Sequence, residues 1–187
     1  MSRGGEKLDA ALATFAVEVE GRRALDAGAS TGGFTDCLLQ RGAARVVAVD
    51  VGYGQLHEHL RADPRVDVRE RTNIRSVDAR AIGGEVDLVV ADLSFISLKT
   101  VAAALLSCAR PGADVVLLVK PQFEAGREEA SKGRGVIRDP DVHARTLADV
   151  CSALAALGAT IMGTMESPLK GADGNVEFLL HARKADG

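Results

Sequence analysis

Leu25-Asp26-Ala27-Gly28-Ala29-Ser30-Thr31-Gly32-Gly33-Phe34 is the stretch on which the fold turns. An apolar run reaching Asp26 gives way to small residues and glycines, and then to a helical pattern from about Phe34 to Arg41, so the order is strand, tight turn, helix. Glycines at such a junction let a ligand approach the backbone closely. The spacing is not Gly-x-Gly-x-x-Gly, which weakens a dinucleotide reading. Gly28-Ala29-Ser30-Thr31-Gly32 also fits the Gly-x-Ser-x-Gly elbow that presents a hydrolase nucleophile, here Ser30. That reading needs an acid and then a histidine downstream. Only His143 and His181 fall late enough, with no independent signal around either, and the elbow would sit on the first strand rather than deep in the sheet.

Outward from this turn the same grammar recurs: a short apolar run ending in charge, a loop, and a helical pattern. Strands are expected at Arg23 to Asp26, Arg45 to Asp50, Val66 to Arg69, Val86 to Asp92 and Asp114 to Lys120. Helices are expected from Glu6 to about Val19, Phe34 to Arg41, Gln55 to Ala62, Leu98 to Ala109, and from Asp139-Pro140 to about Leu157. Near-continuous apolar strands are those covered by helices on both faces. Thr160 to Ser167 and Asn175 to Ala182, separated by the turn signal Gly171-Ala172-Asp173-Gly174, read instead as an antiparallel hairpin. The expected class is therefore α/β: a mostly parallel, Rossmann-like sheet flanked by helices and closed by a C-terminal antiparallel pair.

In such a sheet ligands bind outside the carboxyl ends of the strands. Asp26, Asp50, Asp92 and Lys120 each follow an apolar run directly, which brings four charges to one edge of the sheet and is better explained by a site than by solvation. The acid ahead of the glycines favours a cofactor with an amine and a carboxylate to be paired, as S-adenosylmethionine has and a dinucleotide lacks. Asp50 falls where an acid accepts from ribose hydroxyls in either cofactor class.

Composition sets the outer limits. With 187 residues, 47% of them hydrophobic and 26% charged, the chain has room for one ordinary globular domain, taken as residues 1–187. No run approaches the roughly 18 to 20 apolar residues of a membrane helix, and the opening residues lack the apolar stretch of a signal peptide, so a cytoplasmic protein is expected. Cys37, Cys108 and Cys151 are odd in number, far apart and set in apolar helical patterns, which suggests neither disulfides nor a zinc site. The four histidines show no paired metal spacing; His57 and His59 are close, but on a helix they point to different sides. No metal is expected. A net charge of -3 is not the footprint of a free-standing nucleic-acid binder. Positive charge gathers only in one glycine-containing loop, at Arg127, Lys132, Arg134 and Arg138, diluted by Glu128 and Glu129, which reads equally as a solvated loop or a phosphate-contacting lid.

The runs Ser2-Arg3-Gly4-Gly5-Glu6-Lys7-Leu8, Leu25 to Thr35, Asp50-Val51-Gly52-Tyr53-Gly54-Gln55-Leu56, Arg71-Thr72-Asn73, Ala91-Asp92-Leu93-Ser94-Phe95-Ile96-Ser97, Val119-Lys120-Pro121-Gln122-Phe123-Glu124 and Gly174-Asn175-Val176-Glu177-Phe178, in this order, resemble the TlyA-type hemolysin/rRNA methyltransferases, relatives of the FtsJ 2'-O-methyltransferases. The resemblance covers essentially the whole chain. It implies an S-adenosylmethionine-dependent methyltransferase fold, a ribose 2'-hydroxyl of ribosomal RNA or ribosomal subunits as target, and a catalytic tetrad carried over to Lys7, Asp92, Lys120 and Glu177. A ribose hydroxyl is a poor acid, so its proton must leave as the methyl group arrives. Lys120 is expected to accept or steer it, with Lys7, Asp92 and Glu177 setting the charge balance and alignment. The cofactor is expected against Asp26, Gly28, Ser30, Gly32, Gly33 and Phe34 at its methionine portion and Asp50 at its ribose, with Val51, Asn73 and Asp92 near the adenine and amino groups.

Family members usually carry an S4-type RNA-binding domain before the methyltransferase domain, whereas this sequence opens almost directly on Ser2-Arg3-Gly4-Gly5. A truncated product and a naturally short relative are both compatible with that. The second would make a smaller hydroxylated, nucleoside-like acceptor the main alternative. The hemolysin name raises membrane activity, against which stand the missing spanning segment, basic amphipathic helix and secretion signal. A cofactor-binding module without catalysis is a third class, separated from an enzyme by whether Lys7 and Lys120 can be replaced without loss of activity.

Overall fold

The computed structural model describes residues 2–126, 129 and 135–186. Among them, α1 (Arg3–Thr14) precedes β1 (Arg23–Ala27), α2 (Gly33–Gln40), β2 (Arg45–Val49), the single turn α3 (Glu58–Arg61) and β3 (Val66–Arg69). There follow β4 (Val86–Ala91), α4 (Leu98–Cys108), β5 (Ala109–Val119), the short α5 (Pro121–Glu124), α6 (Pro140–Ala156), β6 (Ala159–Glu166) and β7 (Phe178–Lys184). The seven strands form one sheet in the order β3-β2-β1-β4-β5-β7-β6. Pairings from β3 through β5 are parallel, and β7 runs antiparallel to both β5 and β6.

Alternation along the strands divides the core in two. Leu25, Val47, Val89 and Val115 pack with Leu98, Val101, Leu105, Val150 and Leu154 of α4 and α6 on one face. Ala24, Val46, Leu88 and Val116 pack with Leu8, Leu12, Phe34 and Leu38 of α1 and α2 on the other. Period two therefore puts Asp26 on the same face as Ala24, beneath α2.

Local chemistry moves several expected boundaries. α1 ends at Thr14, short of Val19, because Ala16 turns left-handed (φ 52°) and the Val17 N–H returns to the Leu12 carbonyl. α3 shrinks to one turn because His57 is extended (φ -52°, ψ 139°) after the Gly52 to Gly54 turn. β5 starts at Ala109 rather than Asp114, since Gly112 (φ 72°) lets the strand shift register against β4. The last two strands pair antiparallel as expected, joined by a long connection between Glu166 and Phe178. β7 begins only at Phe178, because the Asn175 side chain is taken up by Ile137, Gly135 and Ala172 and the Glu177 carbonyl accepts from the Ser167 N–H. Consequently Glu177 lies in the β6–β7 connection rather than on an edge strand; the edge is β6.

Candidate active site

The turn after β1 is set by three left-handed residues, Gly28 (φ 84°), Ser30 (φ 48°) and Gly32 (φ 99°). At Gly28 only glycine fits: a Cβ there would lie 2.4 Å from the Asp92 carbonyl oxygen. The turn thereby presses against the end of β4, and the Gly28 and Ala29 N–H groups both donate to the Val49 carbonyl at the end of β2. The carboxyl ends of three strands converge on one cleft with two lobes.

The first lobe, about 320 Å³, is lined by Asp50, Val51, Gln55, Thr72, Ile74, Leu93 and Phe95. The second, about 390 Å³, is lined by Ser2, Arg3, Gly4, Ala29, Thr31, Gly33, Phe34 and Lys120. Gly28, Ser30, Asp92 and Ser94 belong to both walls and so mark the junction. Asp50 holds the first lobe together: its two carboxylate oxygens accept from the Ser30 and Gly52 N–H groups, each at 2.7 Å. Free lone pairs on both oxygens remain for a ligand hydroxyl.

The four residues of the expected tetrad form two ion pairs. Lys120 Nζ lies 2.5 Å from Asp92 Oδ1 and donates to the Ser94 hydroxyl at 3.0 Å, on the cleft wall. Lys7 Nζ lies 2.6 Å from Glu177 Oε2, and both groups are buried. Glu177 is pressed against Gly171, where a Cβ would collide with its carboxylate. Lys7 and Glu177 thus join α1 to the β6–β7 connection and do not line either lobe, while the Ser2 to Gly4 segment of the same helix does.

Asp26 is fully buried and absent from both walls. Its Oδ2 accepts from the Thr35 hydroxyl at 2.7 Å, and among the described residues Oδ1 has no hydrogen-bond partner. Burial raises its pKa to about 7; the Thr35 hydrogen bond opposes the rise, and the charges of Asp92 and Asp50 reinforce it. Gly32 faces Leu56 and Leu60 of the neighbouring segment rather than the two main lobes. Asn73 lies between the lining residues Thr72 and Ile74, but its side chain caps a short 3-10 turn by accepting from Arg75 N–H.

Sequence reasoning missed several parts. The 92–98 loop is pinned at both ends, by Asp92 on Lys120 and by Glu124, whose carboxylate accepts from the Ser97 hydroxyl and the Leu98 N–H. Between these pins Phe95 is left-handed (φ 64°) and 91% exposed, with its ring 5.1 Å from that of Phe123. Positive φ on a phenylalanine is strained and marks a side chain held outward. Next to the lining residue Thr72, Arg71 stacks on Tyr53 at 4.3 Å. His57 and His59, placed on different sides by the helix expectation, sit with rings 5.6 Å apart because His57 precedes the helix. Of the basic loop, Arg127, Lys132 and Arg134 lie outside the described residues; Arg138 follows Ile137, which is tied to Asn175.

A sheet in this order with a glycine turn after β1, an acid after β2 and a carboxylate–lysine pair after β4 and β5 defines the Rossmann-like methyltransferase class. A Mesorhizobium loti S-adenosylmethionine-dependent methyltransferase has the same fold, at TM-score 0.69 and 18% identity, covering 94% of this chain and 96% of that one. The chain belongs to the FtsJ-like methyltransferase family, whose profile matches residues 1–184. It is 58% identical over 183 residues to the 16S/23S rRNA (cytidine-2'-O)-methyltransferase TlyA of Mycobacterium tuberculosis, covering 98% of this chain and 68% of TlyA. A Streptococcus thermophilus structure solved as a candidate hemolysin superposes at TM-score 0.96 with 45% identity, covering 100% of this chain and 68% of that one. Among the described residues no helix is long and apolar enough to cross a membrane.

Proposed function

We propose that residues 1–187 are one FtsJ-like methyltransferase domain that transfers a methyl group from S-adenosylmethionine to a ribose 2'-hydroxyl of ribosomal RNA, with a cytoplasmic location following from that substrate. The observation that carries this reading is the junction of the two lobes. Gly28, Ser30, Asp92 and Ser94 bound both, and Lys120 stands beside them on the second wall. A cofactor whose nucleoside lies in the first lobe and whose methionine portion reaches the glycine turn brings its methyl group to this junction beside Lys120, where an acceptor hydroxyl can meet it.

The cleft suits this cofactor on its charge. Asp26, Asp50 and Asp92 interact electrostatically, Asp26 Oδ1 is buried without a partner among the described residues, and Lys120 is the cation paired with Asp92. A ligand bearing an ammonium and a sulfonium supplies the missing positive charge. S-adenosylmethionine, when bound, supplies a methyl group activated by the positive sulfur. Gly28, Ser30, Gly32, Gly33 and Phe34 shape the turn that holds the methionine portion, with Asp26 behind it setting the local field. Asp50 accepts from the ribose hydroxyls, and Val51 with the segment around Asn73 flanks the adenine.

On the acceptor side Lys120, fixed by Asp92 and Ser94, orients the 2'-hydroxyl and steers its proton toward the Asp92 carboxylate or solvent as the methyl group leaves sulfur for the oxygen. Lys7 and Glu177 act from behind the wall, locking α1 and the β6–β7 connection at the geometry the acceptor meets. The exposed Phe95 offers a face on which an unstacked base can rest. The TlyA relative is named for acting on 16S/23S rRNA, which supports the choice of acceptor over a smaller nucleoside.

The test is transfer of labelled methyl from S-adenosylmethionine to purified ribosomal subunits, with alkali or nuclease resistance locating the 2'-O-methyl group. Transfer lost in Lys120→Ala is expected. Cofactor binding with transfer to nucleosides but not to ribosomal RNA would overturn the acceptor assignment.

A further inference from the structure

Asp26 takes no direct part in the transfer, yet it stands behind the turn on which the two lobes meet. Gly28, Ser30, Gly33 and Phe34 of that turn line the cleft, and Asp26 and Thr35 lie beneath it, both fully buried. The Thr35 hydroxyl donates to Oδ2 at 2.7 Å, and Oδ1 has no hydrogen-bond partner among the described residues. A buried carboxylate with one neutral donor is poorly supported as an anion.

The elements around it add little positive charge. Its strand neighbours in β2 and β4 are Ala48 and Val90. Beyond them stand Asp50 and Asp92, both of which make Asp26 harder to ionise. Lys120 is taken up by Asp92, Lys7 of α1 by Glu177, and Arg41 after α2 by Asp9. Arg3 of α1 lines the second lobe but is exposed, so water screens its charge. On α2, Asp36 accepts from Gln40, and burial pushes the Cys37 thiol up to about 12, which keeps it neutral. Burial, the largest cause, pushes the Asp26 carboxyl up to about 7, so near neutral pH it stands between its two charge states.

A group so placed answers to charge rather than to shape. Asp26 touches no ligand, being absent from both walls, but protein rather than water separates it from the cleft, and a charge added beyond the turn is weakly screened. S-adenosylmethionine carries a sulfonium, an ammonium and a carboxylate, a net single positive charge. S-adenosylhomocysteine has lost the sulfonium and is neutral overall. The two ligands differ by one methyl group in size and by one whole charge.

Resting on the assignment of the cleft to S-adenosylmethionine, we propose that Asp26 is the residue by which the site tells cofactor from spent product: it ionises to meet the sulfonium and takes a proton back once the methyl group has gone. In the transfer the sulfur–carbon bond breaks and the carbon–oxygen bond forms. One proton leaves the acceptor hydroxyl for solvent and one returns from solvent to Asp26, so the loaded cleft carries the same charge before and after. Binding of S-adenosylmethionine therefore releases a proton, and the preference for it over the product grows as pH rises. At low pH, where the carboxyl is already neutral, that preference is lost.

The experiment is titration calorimetry of S-adenosylmethionine and of S-adenosylhomocysteine with the purified chain at pH 7 in buffers of different ionisation enthalpy, which counts released protons, and affinity measurement from pH 6 to pH 8. A tenfold change in the ionisation equilibrium of Asp26, on the order expected for one opposite charge nearby, corresponds to release of about 0.4 proton at pH 7 and to about fivefold tighter binding of S-adenosylmethionine at pH 8 than at pH 6. S-adenosylhomocysteine should change less than about twofold. Both are read against Asp26→Asn, which cancels the titration of the ligands' own amino groups and should abolish the difference between them. Thr35→Val removes the one hydrogen bond that favours the anion and should move the affinity rise to higher pH, so it decides the matter even where Asp26→Asn does not fold. Equal proton release by the two ligands, a difference that survives in Asp26→Asn, or a rise that Thr35→Val leaves in place overturns the proposal. A protein that binds neither ligand overturns the cofactor assignment along with it, whereas one that binds both with matching proton counts keeps that assignment and refutes only the role of Asp26.

Discussion

Asp26 and Asp114 are both buried aspartates of one sheet, and their surroundings differ in every respect that matters to a charge. Asp114, in β5 toward the edge opposite the cleft, accepts from Arg22 at 2.7 Å, His181 at 2.9 Å and Arg183 at 3.0 Å. Burial alone raises a carboxyl pKa, but the hydrogen bonds from His181, Arg22 and Arg183 outweigh it and hold Asp114 well below the usual carboxylate range. Asp26, near the cleft, has one neutral donor in Thr35 and two acidic neighbours, and its pKa rises to about 7. The protein completes one aspartate itself and leaves the other short of positive charge. An incomplete charge next to a pocket points to a ligand; a complete one far from it points to structure.

If that division holds, the largest effect of any single change falls at the cleft and on rate alone. Lys120→Ala is expected to lower methyl transfer about 10³-fold while S-adenosylmethionine affinity, by calorimetry, stays within about twofold. A matching loss of cofactor affinity would move Lys120 to the cofactor side. Next comes Asp114→Ala, which strands the Arg22, His181 and Arg183 donors and should cost about 3 kcal/mol in urea unfolding. Activity per folded molecule should be unchanged; a catalytic defect there would erase the contrast between the two edges.

Asp26 sharpens the comparison through pH. Its folded pKa lies above the ordinary 3.8, so the stability it contributes is fully present below about 3.8 and is lost as pH rises through about 7. Asp114 has the opposite sign: its contribution is present above the ordinary carboxylate range and is lost as pH falls. Unfolding at pH 5 to 8 should show a decline of up to about 1.4 kcal/mol per pH unit in wild type that flattens in Asp26→Asn. Parallel curves for the two proteins would mean that Asp26 is not short of charge. The smallest effect is Asp50→Ala, expected to weaken S-adenosylmethionine binding about tenfold, or ~1.4 kcal/mol, with little change in turnover at saturating cofactor.

The cleft edge was legible in the sequence where apolar runs stop abruptly. Asp50, Asp92 and Lys120 directly follow β2, β4 and β5, and the glycine turn lies where its composition placed it. Asp26 was legible as a charge but not as a buried one, because the strand continues through Ala27 and the alternation turns its side chain under α2. Lys7 and Glu177 were legible only through family resemblance. Their partnership spans 170 residues, and neither helix periodicity nor strand alternation carries that distance. The clasp by Asn175, the loop pins at Glu124 and the outward Phe95 depend on side-chain-to-backbone bonds made after the elements have packed, which local patterning does not encode.

The placement of β7 has a consequence for how the molecule comes to exist. The last strand in sequence occupies an interior slot between β5 and β6, and the residue that pairs with Lys7 immediately precedes it. A chain still lacking residues 177–184 therefore exposes an open edge on β5, with α1 unfastened. Contacts of such long sequence separation form late and slowly. During synthesis the acceptor wall is thus among the last parts to set, and a partly made chain cannot present the finished cleft to RNA on the ribosome that is making it.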